Sequence, residues 1–239
     1  MYFKVSKKEF YNALSVAARA ISTFSPLPAF SGVKIEATMD CLILTGSDSD
    51  ISIQTKLKKS EHCVLEIHDM GSIVIEAKYI LEIVRKIDAD EIEFEMLDGS
   101  LTKISGNTAE FRINGMRASE YPAIDFSKPN ECFNVSEDIL KKIILQTSFA
   151  TSDKETRPVL TGVNFQCKEH QLHCVATDSY RLAKKTVEIE ESLNFNITIP
   201  AKSLQEVVKT LEGEGDVEIA VNDKKAQFII HDTIVQTRL

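Results

Sequence analysis

Apolar residues near the start of the chain recur at intervals of three or four, the spacing of residues that share one face of a helix. These positions are Phe10, Ala13, Leu14, Ala17 and Ile21. Ser6 and Glu9 have the spacing of a capping box, in which each side chain satisfies a free backbone donor of the other residue. The pattern therefore predicts a helix that begins just after Ser6, and Pro26 and Pro28 prevent it from continuing.

Beyond the prolines, apolar and polar residues alternate, as is typical of strands with one buried face. Segments with this pattern are 33–35, 42–44, 51–53, 92–94 and 111–113. Helical spacing returns over about residues 77–87. The apolar face of this second predicted helix consists of Ile80, Ile83, Val84 and Ile87. The first half of the chain thus predicts an α+β fold with two helices and antiparallel sheets.

The pattern of the first half returns in the second half. Matching pairs at an offset of 130 residues include Phe3 and Phe133, Gly32 and Gly162, Leu42 and Leu172, and Asp48 and Asp178. The offset is 124 at the second helix, where Ala77 matches Ala201, and 117 between Phe111 and Phe228. A self-similar period of this kind predicts two tandem copies of one domain, each with two helices and about eight antiparallel strands.

A proline-containing connector separates the two copies. It follows the Ser-Glu-Tyr-Pro segment at 119–122. We therefore expect a first domain at 1–122, a linker at 123–131 and a second domain at 132–239. The second copy ends at Leu239 without a matching Tyr-Pro, from which we expect a third domain that is absent from this chain.

In the second copy, segments 157–163 and 172–182 predict two strands joined by a hairpin. The later strand ends in Ala-Thr-Asp-Ser, residues that mark a turn, and is followed by Tyr-Arg-Leu at 180–182. The equivalent residues of the first copy, at 50–52, are unlike these three. The Tyr-Arg-Leu trio is therefore a candidate surface for a partner. The simpler alternative is a tight turn packed under a linker.

Composition places the chain among soluble globular proteins. Of 239 residues, 43% are apolar and 27% charged, and no run approaches the roughly 18 apolar residues of a membrane span. The first residues lack the apolar core of a signal peptide. Five dispersed cysteines favour reduced thiols over a disulfide scaffold, so we expect a cytoplasmic protein without membrane contact.

A formal net charge of −8 argues against general adhesion to nucleic acid, but basic residues concentrate on the four predicted helices. The basic residues that would form a local positive surface for nucleic acid are Lys8, Arg19, Lys78, Arg85, Lys141, Lys142, Lys202 and Lys209. Such a surface would hold phosphates without reading bases. The alternative is a set of ordinary solvated helix faces.

The sequence gives little support to catalysis or metal binding. Cys167, His170, His173 and Cys174 are potential zinc ligands within one short segment. Neighbouring strand residues point to opposite faces, however, so the four cannot converge in a regular hairpin. Hydrolase motifs and phosphate-binding glycine loops are absent from the sequence. We therefore expect no enzyme, metal or cofactor, and we interpret Asp48 and Asp178 as turn-capping residues.

Three segments and the repeat together resemble a known family. The segments are Leu-Thr-Gly-Val at 160–163, Ala-Thr-Asp-x-x-Arg-Leu at 176–182 and Ser-Glu-Tyr-Pro at 119–122. With these, the whole chain resembles the bacterial DNA polymerase III beta subunit, the sliding clamp family, and corresponds to its first two domains. The resemblance implies a DNA-clamp fold. It also implies a homodimeric, head-to-tail ring of three-domain subunits whose helices surround duplex DNA.

The resemblance also implies the binding sites. The second-domain wall of a hydrophobic pocket would consist of Arg157, Leu160, Thr177, Ser179, Tyr180, Arg181 and Leu182. This pocket would bind a short peptide motif of the DNA polymerase III catalytic subunit, the clamp loader and other clamp-motif proteins. The ring interface would lie near Ile83, Ile87, Phe111 and Ile113. The family often has polar or basic DNA contacts near positions 24 and 154; Lys154 fits this and Phe24 does not.

Three functional hypotheses follow. The first is a non-enzymatic processivity factor that encircles duplex DNA and tethers polymerases. The second is a truncated two-domain clamp fragment that acts only as a peptide-binding module. The third and weakest is a metal-dependent hydrolase that uses Cys167, His170 and His173. For a two-domain chain, we expect a monomer or weak self-association.

Overall fold

The structure is a computed structural model that describes residues 1–22, 27–154 and 156–239, so that Phe24 and Pro26 lie outside the described residues. The chain divides into two compact units, Met1–Asp125 and Phe126–Leu239. The division falls within the connector predicted at 123–131. Glu131 already belongs to a strand, which makes the irregular stretch shorter than the sequence predicts.

The first unit combines two helices with two antiparallel sheets. Its elements are β1 (Tyr2–Ser6), α1 (Lys7–Ala18), β2 (Gly32–Ala37), β3 (Cys41–Ser47), β4 (Ile51–Lys58), β5 (Leu65–Asp69), β6 (Gly71–Glu76), α2 (Ala77–Lys86), β7 (Glu91–Asp98), β8 (Leu101–Gly106), β9 (Ala109–Asn114) and β10 (Met116–Arg117). One sheet has the strand order β5-β1-β7-β8-β9, and the other contains β10-β6-β2-β3-β4. Short 3-10 turns lie at Pro28–Ser31 and Ala118–Glu120.

The core of the first unit lies where the helices meet the sheets. Helix α1 buries Phe10, Ala13, Leu14 and Ala17, which confirms the helical spacing, and packs on β3, β4 and α2. Phe3 of β1 stacks on Phe94 of β7, with ring centroids 4.8 Å apart. The two aromatic rings and the apolar helix face therefore join one sheet to the helices.

The second unit repeats this plan with fewer, longer strands. Its elements are β11 (Glu131–Ser136), α3 (Glu137–Thr147), β12 (Gly162–Thr177), β13 (Leu182–Pro200), α4 (Ala201–Thr210), β14 (Asp216–Val221), β15 (Lys225–Ile230) and β16 (Thr233–Arg238). Strand order in its sheet is β16-β15-β14-β11, and β12 pairs with β13. The β12–β13 register breaks between Glu169 and Gln171, where the sequence predicts a hairpin turn, and Glu169 has a positive φ of 55°.

The described residues form ten strands in the first unit and six in the second, because β12 and β13 each continue through a stretch where the first unit has separate strands. One matched pair of the predicted repeat is wrong. The counterpart of Phe228 is Ile104 and not Phe111: Phe228 pairs with Ile219, as Ile104 pairs with Phe94. Successive strands share one alternating pattern, so sequence alone cannot assign their order.

The predicted capping box at Ser6 is also wrong. Its hydroxyl accepts a hydrogen bond of 2.8 Å from the Val64 backbone N–H and makes no cap on α1. Ser136, its counterpart in the second unit, does cap its helix by accepting from the Ile139 N–H. A tertiary partner thus replaces the local one in the first unit. Within the described ranges, no helix is long and apolar enough to cross a membrane.

Gly46 allows α1 to lie close to β3. A Cβ atom at this position would be 2.1 Å from the backbone oxygen of Ala17. Such a distance requires the helix or the strand to move.

We expect Gly46→Ala to lower the free energy of unfolding by about 3 kcal/mol, the upper end for overpacking a core. Gly99→Ala is the matched control, because Gly99 has a positive φ of 55° but no atom within 4 Å of an added Cβ. It should cost only about 1 kcal/mol. Urea unfolding of the whole chain measures both, and equal losses would contradict the close helix–strand approach.

Candidate functional site

The turn at 177–181 is fixed by the side chains of Thr177 and Asp178. Asp178 Oδ1 accepts hydrogen bonds of 3.0 Å from the backbone N–H groups of Tyr180 and Arg181. The Thr177 hydroxyl accepts from the Ser179 N–H and donates to the Arg181 carbonyl oxygen, at 3.1 and 2.6 Å. These bonds hold Ser179 at a φ of 78°, in the left-handed region that few non-glycine residues adopt.

The first unit contains the same turn. Asp48 Oδ1 accepts from the backbone N–H groups of Asp50 and Ile51, at 3.0 and 2.9 Å, and Ser49 has a φ of 87°. The prediction that Asp48 and Asp178 cap turns is therefore confirmed. Both units thus close this turn with an aspartate and two backbone N–H groups, although the side chains of the residues that follow differ.

The two turns differ in what they expose. In the first unit, Ile51 and Ser52 are buried. In the second unit, the equivalent residues Arg181 and Leu182 are exposed, Leu182 to 66%, and Tyr180 is exposed to 98%. A single fold element therefore carries core residues in one unit and an apolar and cationic surface in the other.

Arg181 is held at two places. Its Nε atom donates to Asp178 Oδ2 at 3.0 Å, and its guanidinium carbon lies 5.7 Å from the centre of the Phe149 ring. The backbone N–H groups of Arg181 and then of Tyr180 lower the pKa of the Asp178 carboxyl below its ordinary 3.8. Asp178 is thus charged at neutral pH and available to the guanidinium.

The segment 157–163 is not the strand that the sequence predicts. Pro158–Leu160 forms a 3-10 turn, and β12 begins only at Gly162. The Leu160 N–H donates to the Arg157 oxygen, and the Leu160 oxygen accepts from the Ser152 N–H at 2.8 Å. Proline lacks a backbone donor and is preorganised for the first position of such a turn. In this turn, Leu160 is half-buried and Arg157 is exposed.

The structure thus places the predicted pocket residues in two turns of the second unit. Thr177, Ser179, Tyr180, Arg181 and Leu182 lie at the turn after β12, whereas Arg157 and Leu160 lie in the turn before it. Sequence analysis missed Phe149, which is 58% exposed and touches Arg181. The repeat contained a signal for it, because an offset of 130 places the charged Arg19 opposite Phe149.

The eight basic residues predicted to face DNA are all exposed and lie on, or immediately after, the four helices. Three of them make ion pairs within their own helix: Arg85 with Glu82 at 2.7 Å, Lys142 with Asp138 at 2.5 Å and Lys209 with Glu206 at 2.7 Å. Exposed pairs of this kind contribute little to stability and rearrange readily. They reduce the local positive charge without removing these side chains from the surface.

A cleft of about 1000 Å³ lies in the first unit, around the start of α1 and the segment after α2. Its walls carry both signs of charge. The cations are Lys4, Lys7, Lys8 and Arg85, and the carboxylates are Asp88, Asp90, Glu91 and Glu93. Lys7 donates to the Ile87 oxygen and Lys4 pairs with Glu91, each at 2.5 Å. Because cations and carboxylates line the same cleft and some of them pair with each other, the cleft has no concentration of positive charge that would favour an anion.

The residues predicted at a ring interface differ in accessibility. Ile87 is 1% exposed and belongs to the core under α2, as its position on the inward face of the helix predicts. Ile83 and Ile113 are partly buried against the same core. Phe111 is exposed on β9, which forms one edge of its sheet.

The cysteines and histidines of β12 have other partners. Burial raises the pKa of the Cys167 and Cys174 thiols, which disfavours the thiolate form that binds metal. His170 Nδ1 lies 3.1 Å from the Glu190 oxygen, and His173 Nδ1 lies 2.9 Å from the Thr186 hydroxyl. Among the residues that the structure describes, no group of three or more potential ligands could hold a metal ion.

Comparison with known proteins links both units to one family. Residues 1–125 match the model of the DNA polymerase III beta subunit, N-terminal domain, and residues 134–239 match that of its central domain. The chain is 39% identical over 246 residues to the beta sliding clamp of Halalkalibacterium halodurans and 37% over 244 residues to that of Bacillus subtilis. The whole chain takes part in both alignments, and it spans 65% of the length of each relative.

The fold of the chain is also similar to solved structures of this family. The crystal structure of the Bacillus subtilis DNA polymerase sliding clamp superposes with a TM-score of 0.97 at 35% identity. The DNA polymerase III beta chain of Streptococcus pneumoniae superposes with a TM-score of 0.96 at 32% identity. Each superposition covers 100% of this chain and 64% of the other.

We expect the turn at Asp178 to loosen in acid. Its lowered pKa means that the charged carboxylate stabilises the turn fully above pH 3.8, and that this contribution is lost as the pH falls through the folded-state value. The NMR shift of the Arg181 amide reports this transition. Asp178→Asn is the control and should abolish that titration, whereas a midpoint at or above 3.8 in the unmodified chain would contradict the hydrogen-bond assignment.

Proposed function

Because the chain belongs to the DNA polymerase III beta subunit family, we propose that it acts as a sliding clamp, a processivity factor that surrounds duplex DNA without sequence specificity. The observation that carries this proposal is the match of two consecutive family domains to the two units, with a TM-score of 0.97 to a solved clamp over the whole chain. In this proposal, a third domain completes each subunit of a homodimeric ring.

The proposed ring contacts DNA through weak, replaceable interactions. Sliding requires that phosphates exchange between cations with little net change in free energy, and topology rather than affinity keeps a closed ring on DNA. The exposed basic residues of α1 to α4 suit this role, since a point charge on a flexible stem holds phosphate without reading bases. Because the net charge of the chain is −8, the rest of its surface would repel phosphates, and DNA would contact only these helix faces.

The proposed partner site is the pair of turns around β12. Leu160 and Leu182 supply apolar surface for the anchor side chains of a short peptide, and Arg157, Thr177 and Arg181 supply polar groups at its rim. The peptides belong to the DNA polymerase III catalytic subunit, the clamp loader and repair proteins. The ring interface of the proposal uses Phe111, Ile113 and Ile83, at and beside the β9 edge.

In this proposal the protein has no catalytic centre and no cofactor, and works in the cytoplasm as an accessory subunit. Its five free cysteines are compatible with a reducing compartment.

Retention on DNA tests the ring. The protein, carried with the third domain that the proposed ring requires, is mixed with the clamp loader, ATP and nicked circular plasmid. The mixture is separated by gel filtration, with the same plasmid linearised as the matched control. A ring co-elutes with the circle and runs off the linear DNA. Peptide binding without retention on the circle would instead favour the peptide-binding module.

We expect Leu160→Ala to weaken binding of a labelled clamp-motif peptide about tenfold, because it removes an apolar contact from the pocket. Fluorescence anisotropy measures the dissociation constant. Met39→Ala in the first unit, which trims a side chain that is 77% exposed, is the control and should change nothing. An unchanged dissociation constant for Leu160→Ala would show that the peptide does not bind at the proposed pocket.

Neighbouring lysines of α3 provide a matched pair for DNA binding. We expect Lys141→Ala to reduce the slope of log affinity against log salt by about 1, because it removes one phosphate contact. Lys142→Ala should reduce the slope less, since Lys142 is paired with Asp138. Anisotropy of a labelled duplex over a series of salt concentrations measures both slopes, and no change in either variant would contradict a DNA-facing α3.

A further inference from the structure

A buried carboxylate ties the start of α3 to the end of α4. Glu137 is the first residue of α3 and is 1% exposed. Its Oε2 atom accepts hydrogen bonds of 2.7 and 2.6 Å from the backbone N–H groups of Glu212 and Gly213, just after α4. Its backbone N–H donates to the Gly215 oxygen at 3.0 Å. Three hydrogen bonds of one residue therefore hold the two helix ends together.

The turn between β15 and β16 reaches the same carboxylate. His231 in this turn has a φ of 50°, and its Nε2 atom lies 3.1 Å from Glu137 Oε1. A buried carboxylate is costly unless its charge is satisfied. Here two backbone donors and the imidazole contact it, and the N-terminal end of α3 adds a favourable dipole. We call Glu137, His231 and residues 212–215 the α3–α4 joint.

The first unit closes the equivalent joint with the opposite charge. Lys7 is the counterpart of Glu137 at an offset of 130, and its Nζ atom donates to the Ile87 oxygen, just after α2. Asn107 is the counterpart of His231 at an offset of 124 and has the same φ of 50°. Its side-chain amide donates to a backbone oxygen after α2 at 2.6 Å. The fold therefore uses a closed joint at this place in both units but does not require a carboxylate there.

The carboxylate fixes the helix ends more closely than the lysine does. Lys7 makes one bond through a long, flexible stem, whereas one oxygen of the shorter, buried Glu137 side chain accepts from two successive N–H groups. Helices α3 and α4 pack against each other, and their relative placement decides which phosphates their cations can reach at the same time. These cations are Lys141, Lys142, Lys202 and Lys209.

We propose that Glu137 is a positioning residue for DNA binding, which sets the placement of α3 against α4 so that the lysines of both helices contact phosphates together. This inference rests on the proposed function, in which these helices face DNA. Because Glu137 is buried, it acts through the backbone after α4 and does not touch DNA itself.

The test measures binding of a labelled duplex by the whole chain over a series of salt concentrations. Glu137→Asp keeps the charge but shortens the side chain by one methylene, so that it no longer reaches both N–H groups. It should weaken binding about fivefold and reduce the slope of log affinity against log salt by about 1, because fewer lysines contact phosphates together. Glu137→Gln keeps the reach and an accepting oxygen, and it should bind DNA as the unmodified chain does.

Glu212→Gln is the matched control. It removes a negative charge at the same joint, while its backbone N–H still donates to Glu137, so the slope should not change. A role of Glu137 through charge alone predicts the opposite order, with unchanged binding by Glu137→Asp and stronger binding by Glu137→Gln. Amide hydrogen exchange at Glu212 and Gly213 shows whether the joint is open in each variant.

An open joint in Glu137→Asp with unchanged affinity and slope would overturn the positioning role. If the joint stays closed in Glu137→Asp, the same comparison is made with Glu137→Ala, which has no side-chain acceptor. Lys141→Ala separates this inference from the function on which it rests. A reduced slope in Lys141→Ala alone means that α3 faces DNA but Glu137 does not position it, whereas no reduction in any of these variants would also contradict a DNA-facing α3.

Discussion

In each unit, one turn is closed by a carboxylate oxygen that accepts hydrogen bonds from two successive backbone N–H groups. Asp48 and Asp178 make it with distances that agree within 0.1 Å. It allows a serine with positive φ in the middle of the turn, and its donors are backbone N–H groups, so it does not require particular side chains in the residues that follow. Because the turn closes locally, those following residues can vary. The first unit buries Ile51 and Ser52, and the second exposes Arg181 and Leu182.

Much of the fold could be predicted because its signals are local and repeated. Helix α1 and its buried residues follow from a three-to-four spacing, and the repeat identified both capping aspartates. The predictions that are wrong concern residues whose partners are distant in sequence. Ser6 is a good cap by sequence, but Val64 donates to it instead. The register of the last strands was misassigned because neighbouring strands share one alternating pattern, and only their pairing separates Ile104 from Phe111.

The candidate site was predicted in part for the same reason. Arg181 and Leu182 stand out because the repeat lacks them in its first copy. Phe149 also differs from its counterpart Arg19 in the first copy, but a single apolar residue after a helix usually belongs to the core. Its contact with Arg181 depends on the packing of the turn after α3 against β12. Likewise, Pro158 breaks the expected strand by a backbone effect that hydrophobic spacing cannot show.

Strand β9 lies at the edge of its sheet, where strands of different molecules can pair. An edge strand leaves a row of backbone N–H and C=O groups that can pair with any other extended chain, which makes it a starting point for aggregation. Phe111 adds an exposed aromatic side chain to that row, but Glu110 and Arg112 flank it and pair with each other at 2.9 Å. Charged residues at such positions act as gatekeepers. Without the charges of Glu110 and Arg112, β9 would combine an open backbone edge with an exposed aromatic side chain, a combination that favours aggregation.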